Sequence, residues 1–143
     1  MNAKPYQIVL DTNVIVTGFR SNRGASYKLL SILNDERWQI NLSVSLVLEY
    51  EAVLKRQQSS LNLSLLEIDQ AVEDICSIAN LRSIFYTWRP MSRDPDDDFL
   101  VDLAVKCQAD FIVTYNGKDF TNISNFGIRV VTPKQFLEIV GEL

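Results

Sequence analysis

Four acidic residues, Asp11, Glu49, Asp98 and Asp119, each follow an apolar stretch with the composition of a β-strand, in a chain that contains no histidine. In a parallel α/β sheet the segments beyond the strands gather on one edge, so four carboxylates distant in sequence would meet in one pocket. Close like charges raise one another's pKa, and such a cluster does not stay ionised unaided. A divalent cation resolves the conflict, and hard oxygen ligands favour Mg2+ or Mn2+ over zinc. The pattern points to a metal-dependent phosphodiesterase. The missing histidine excludes a Ser-His-Asp triad, a histidine general base and the common zinc sites.

Each acid has a competing structural explanation. Asp11 ends an apolar strand, where a carboxylate gains little beyond capping the turn through Thr12 and Asn13. Those two residues can donate hydrogen bonds that orient a carboxylate or a phosphate. Glu49 lacks a basic residue four positions on, whereas Glu51 has Lys55 there and reads as a surface ion pair. In the run Asp94-Pro95-Asp96-Asp97-Asp98, Asp94 fits an N-cap, Pro95 the first helical position, and Asp96 and Asp97 offset the helix dipole. Asp98 lies further in, where that compensation is weaker. Asp119 follows the turn formers Asn116 and Gly117 and would by itself be a solvated loop acid.

The elements that must position these acids alternate between strand and helix. Apolar runs predict strands at Tyr6–Leu10, Trp38–Leu42, Arg82–Tyr86, Phe111–Thr114 and Ile128–Val131. Helical spacing covers Ala25–Glu36, a segment N-capped by Ser45 that runs through Arg56, and Asp96–Gln108. Ser64 and Glu67 form a capping box ahead of a stripe of Ile68, Val72, Ile75 and Ala79. Thr132, Pro133 and Gln135 open a C-terminal helix in the same way. The alternation calls for an α/β fold with a parallel sheet of about five strands between helices.

At 143 residues the chain is expected to form a single domain, 1–143, with 47% hydrophobic and 22% charged residues. No apolar run nears the roughly 20 residues needed to span a bilayer, and the apolar start is too short for a secretory signal, so a cytoplasmic protein is expected. Cys76 and Cys107 fall in helical patterns and read as reduced, buried thiols. A net charge of −4 argues against a nonspecific DNA coater, whose affinity needs a broad basic surface.

Taken together these residues resemble the PIN-domain family, in particular the VapC-like toxin ribonucleases of bacterial toxin–antitoxin pairs. The resemblance runs over nearly the whole chain, through IVLDTNVIV (8–16), RGAS (23–26), SVSLVLEYEAVL (43–54), DPDDDFLVDLA (94–104) and ADFIVTYNGKDF (109–120). It implies a PIN-like three-layer α/β/α fold in which Asp11, Glu49 and Asp98 are the principal metal-site acids. Asp119 matches the fourth acid of the toxins' Thr-x-Asn-x-x-Asp-Phe segment, with Thr114 and Asn116 supporting the site or the substrate. Asn116 stands where many PIN domains carry aspartate, and an amide binds a second metal more weakly. The resemblance further implies a homodimer and a small antitoxin covering the active site.

The chemistry this suits is hydrolysis of RNA, with the cation polarising the phosphate and acidifying an attacking water, giving 5′-phosphate and 3′-hydroxyl ends. Arg20, Arg23, Arg89, Arg93 and Lys118 fall in segments expected at the same rim and could grip the RNA backbone, while Trp88 and Tyr115 could stack on unpaired bases. A haloacid-dehalogenase-like phosphatase needs a second aspartate where Asn13 stands, and no Gly-x-Gly-x-x-Gly follows the first strand for a dinucleotide. The remaining alternatives are a PIN-fold RNA- or protein-binding module that has lost catalysis and a housekeeping RNA-processing nuclease.

Overall fold

The chain's structure, a computed structural model, describes residues 4–83, 95–120 and 123–143, with the side chains of 95–98 outside the described set. Five parallel strands, β1 (Tyr6–Leu10), β2 (Trp38–Leu42), β3 (Asn80–Leu81), β4 (Phe111–Val113) and β5 (Arg129–Val131), form one sheet in the order β3-β2-β1-β4-β5. Strand β1 is central and reads Ile8, Val9 and Leu10 without a polar break because both of its faces are covered. The chain first builds outward from β1 through β2 to β3, then returns to the other side of β1 for β4 and β5. The crevice beyond the ends of β1 and β4 is therefore the point where strand order reverses, and in open α/β sheets ligands bind at such a point.

Helices α1 (Thr12–Arg20) and α2 (Ala25–Ser31) connect β1 to β2. Between β2 and β3 come α3 (Val44–Arg56), the single turn α4 (Gln58–Leu61) and α5 (Leu65–Ile78). Helix α6 (Pro95–Lys106) precedes β4 and lies against β1 and β2, and α7 (Pro133–Ile139) ends the chain. Helix α1 packs on α2 and α3, α3 on α5, and α2 on α7. This is the three-layer α/β/α arrangement expected from the sequence. Trp38, Phe111 and Phe136 meet edge to face at 5.4 and 5.5 Å and fix α7 to the sheet.

Both capping boxes form, at Ser64 with Glu67 and at Thr132 with Gln135. Ile68, Val72 and Ile75 are buried as the stripe requires, while Ala79 serves as the C-cap of α5. Several expectations need correction, among them the end of α6, which is Lys106 and not Gln108, and the burial of Cys76, which is only partial. The cap of α3 is Ser43, whose hydroxyl accepts from the Leu46 backbone N–H; Ser45 lies inside the helix. The helix from Ala25 stops at Ser31, not Glu36, where Asp35 accepts from the Arg37 N–H in the turn into β2. Strand β3 pairs with β2 at Asn80 and Leu81, ahead of the expected start at Arg82, and residues 84–86 lie outside the described residues. The N-cap assigned to Asp94 lies outside them too, although α6 does begin at Pro95.

Candidate active site

Asp11 is the N-cap of α1, set at the end of β1 by a backbone bond from its N–H to the Val113 carbonyl at 2.9 Å. Its carboxylate is 8% exposed and its partners come from both sides of the crevice. Oδ1 accepts from the Thr12 N–H at 2.7 Å, and Oδ2 accepts from the Thr114 hydroxyl at 2.7 Å and the Asn13 amide at 3.4 Å. Thr114 follows β4, so this hydrogen bond spans the point of strand reversal. The positive end of α1 and these donors favour the charged carboxylate. Burial outweighs them, and with the nearby charge of Asp119 it raises the Asp11 pKa above its ordinary value.

The Thr12 hydroxyl donates to Glu49 Oε2 and ties α3 to the start of α1. Beneath the pair lies Tyr50, fully buried, whose hydroxyl donates to the Leu10 carbonyl at 2.5 Å. Burial first, then the charges of Asp11 and Glu49, holds its phenol protonated. Beyond β4, the Thr114 hydroxyl accepts from the Asn116 N–H at 3.0 Å, and the Asn116 carbonyl accepts from the Asp119 N–H at 3.0 Å. Asp119 thereby sits in a 3-10 turn, Gly117–Phe120, anchored by the buried Phe120. Among the described residues between β4 and β5 there are two such turns, the second at Ile123–Phe126.

Asp11, Glu49 and Asp119 line one cavity of about 350 Å³, together with Thr12, Asn13 and Asn116. Asp98 belongs to the first turn of α6, with its side chain outside the described residues. Arg20 lines the same cavity, whereas Arg23 and Lys118 are exposed and do not. Arg89, Arg93 and Trp88 lie outside the described residues. Tyr115 is half exposed, its N–H donating to Asn13 Oδ1 at 3.3 Å and its hydroxyl 2.6 Å from that of the buried Ser26.

Carboxylate oxygens are the donors a hard divalent cation takes. Asp11 is also a carboxylate whose surroundings disfavour its charge, and a cation would relieve that. In chemical kind the residues fit Mg2+ or Mn2+. Among the described residues no three acids converge closely enough to hold a metal.

Two residues of this site were not singled out from the sequence. Tyr50 reads there as one more apolar helix position. Gln57 lies two turns beyond Glu49 on the same helical face, a signal that helical spacing carries once the end of α3 is known.

A family model for the PIN domain matches residues 7–118, and the chain belongs to the PIN-domain family, whose members are generally nucleases. The uncharacterized protein MJ1680 of Methanocaldococcus jannaschii is 24% identical, over 92% of this chain and 90% of that one. The structure of VapBC2 from Rickettsia felis, bound to a DNA fragment from their promoter, superposes with a TM-score of 0.58 at 15% identity, covering 87% of this chain and 98% of that chain. The T. brucei RRP44 PIN domain matches with a TM-score of 0.51 at 15% identity, over 96% and 82%. At those identities the two structures share the fold.

Proposed function

We propose that this chain is a Mg2+- or Mn2+-dependent endoribonuclease and the toxin of a toxin–antitoxin pair. The observation that carries the reading is that Asp11, Glu49 and Asp119 line one cavity at the point of strand reversal. Asp11, Glu49, Asp98 and Asp119 would hold the cation. When bound, it supplies the charge that polarises the scissile phosphate and makes a water acidic enough to attack.

The chain's own residues do the rest. Thr114, Thr12 and Asn13 keep the Asp11 carboxylate in one orientation, and Thr12 does the same for Glu49. Asn13 and Asn116 present amides to the cavity that can donate to phosphate oxygens. No side chain acts as nucleophile, in keeping with a chain that has no histidine. The likeness of its fold to VapBC2 supports a small antitoxin as partner, and the sequence resemblance adds a homodimer. No helix among the described residues is long and apolar enough to cross a membrane, and we place the enzyme in the cytoplasm as one domain.

Asn116 favours the second reading, a PIN fold that binds RNA or protein without robust catalysis, because an amide replaces a metal-binding acid. A pool of structured and unstructured labelled RNA, incubated with Mg2+, Mn2+ or EDTA, separates the two. The nuclease cuts with metal, stops in EDTA and is lost in Asp11→Asn. A folded protein, free of antitoxin, that cuts nothing favours the binding module or a nuclease of very narrow substrate.

A further inference from the structure

The cavity that holds the carboxylates is one end of a groove between α1 and α3. Val16, Thr17 and Arg20 continue from Asp11 along one face of α1, and Val53 and Gln57 continue from Glu49 along α3 at four-residue steps. Two helices that follow adjacent parallel strands run in the same direction, so both stripes leave the carboxylates together. The groove therefore changes character along its length. It is acidic at the strand ends, has a neutral floor of Val16, Thr17 and Val53, and is cationic where the helices finish.

At that far end the Arg20 guanidinium donates to Gln57 Oε1, across from α1 to the C-cap of α3. Among the described residues Arg20 is the cation that lines the cavity. Its position in the last turn of α1 suits the helix dipole, which accounts for a cation there. The dipole does not account for the grip of Gln57. A neutral amide, not an acid, holds the guanidinium, so the side chain is oriented while its charge and remaining donors stay available.

We propose that Arg20 binds a backbone phosphate of a single-stranded RNA lying in this groove, outside the scissile bond, and that Gln57 is the positioning residue that presents it. This rests on reading the cavity as the RNA-cleavage site and adds the two residues that hold the strand beside the scissile bond. Nine residues of helix separate Asp11 from Arg20, about 13 Å at 1.5 Å each, and the side chain leans back toward the helix start. The remaining gap is about one or two nucleotides of a single strand. The carboxylates and Arg20 line one groove between packed helices, where a single strand can bring two phosphates of its own backbone to the two ends. RNA so held has its cleaved phosphate on the carboxylates and a neighbouring phosphate on Arg20.

The probe is fluorescein-labelled single-stranded octauridylate, titrated in Ca2+ so that binding is read without relying on cleavage. Arg20→Ala should weaken binding about 10-fold and reduce the slope of log Kd against log salt by about 0.7, the value for one phosphate contact on a single strand. Gln57→Ala should weaken it about 3-fold in the native chain and have no effect in Arg20→Ala. A self-complementary octamer duplex should compete at least about 10-fold less well. An unchanged salt slope in Arg20→Ala, a Gln57→Ala effect that persists without Arg20, or no binding by the native chain overturns the proposal. The RNA-pool assay separates this from the function itself. Cleavage lost in Asp11→Asn but unaltered in Arg20→Ala leaves the nuclease and removes the groove. Arg20-dependent binding without any cleavage removes the nuclease and leaves the groove as a binding track.

Discussion

Thr114→Val tests how the fold tolerates a buried carboxylate at its centre. The threonine is 1% exposed, donates to Asp11 Oδ2 at 2.7 Å and accepts from the Asn116 N–H at 3.0 Å. A hydrogen bond to a charged group contributes about 1.5–3 kcal/mol, and leaving the Asn116 N–H without its acceptor adds roughly 1 kcal/mol. We expect a loss of about 2–4 kcal/mol at pH 8 in EDTA, equal to a fall in Tm of roughly 6–12 °C for a chain near this size. In the Asp11→Asn background the same change should cost about 1–2 kcal/mol less, because no charge is left to stabilise.

The pH dependence follows from the direction of the Asp11 shift. Burial, the largest cause, holds its pKa above the ordinary 3.8, so the native state binds this proton more tightly than the unfolded chain does. The stability so conferred is fully present below 3.8 and is lost as pH rises through the folded value. Removing the Thr114 donor raises that pKa further and extends the loss over a wider span of pH. The cost of Thr114→Val should therefore shrink as pH falls toward 4. Asp11→Asn alone should be at least as stable as the native chain at pH 8 in EDTA, with any gain vanishing in acid. Urea unfolding at both pH values, with Thr114→Ser as the variant that keeps the hydroxyl, gives the cycle. An equal cost of Thr114→Val with and without the Asp11 charge, and at both pH values, would mean that the Thr114 hydroxyl does not stabilise the Asp11 carboxylate.

Tyr50→Phe removes the buried bond to the Leu10 carbonyl and should cost about 1–3 kcal/mol in urea unfolding without changing the m-value. A loss below about 0.5 kcal/mol would mean that the hydroxyl does not brace the end of β1. Gly18→Ala would bring a Cβ within 2.3 Å of Leu30 Cδ1 and 3.3 Å of the Ser26 carbonyl oxygen. The strain of about 1–3 kcal/mol should exceed the helix-propensity gain of about 1, giving a lower Tm where an open helical glycine would give a higher one.

Much of the frame was legible because its signals are local. The runs YQIVL and WQINL declare buried strands at the bounds observed, and the capping boxes at Ser64 and Thr132 mark their helices to the residue. Helix α1 was harder. Its Val14-Ile15-Val16-Thr17-Gly18 core has weak helix propensity, and its helical state rests on packing against α2 and α3. Ser43 and Ser45 both suit a cap, and the choice depends on where β2 ends. The placing of Asp11, Glu49 and Asp119 at one cavity was legible because parallel topology gathers the segments that follow strands. Gln57 and Tyr50 were not, since their roles depend on which side chain faces them across a helix pair.

The most direct test of a cation held by these carboxylates is Mn2+ binding, measured by titration calorimetry on the native chain beside Asp11→Asn and Asp98→Asn. We expect a Mn2+ site in the native chain whose affinity falls at least about 100-fold in each variant, with both still folded. Native affinity in Asp11→Asn or Asp98→Asn, or no Mn2+ binding by the native chain, would contradict it.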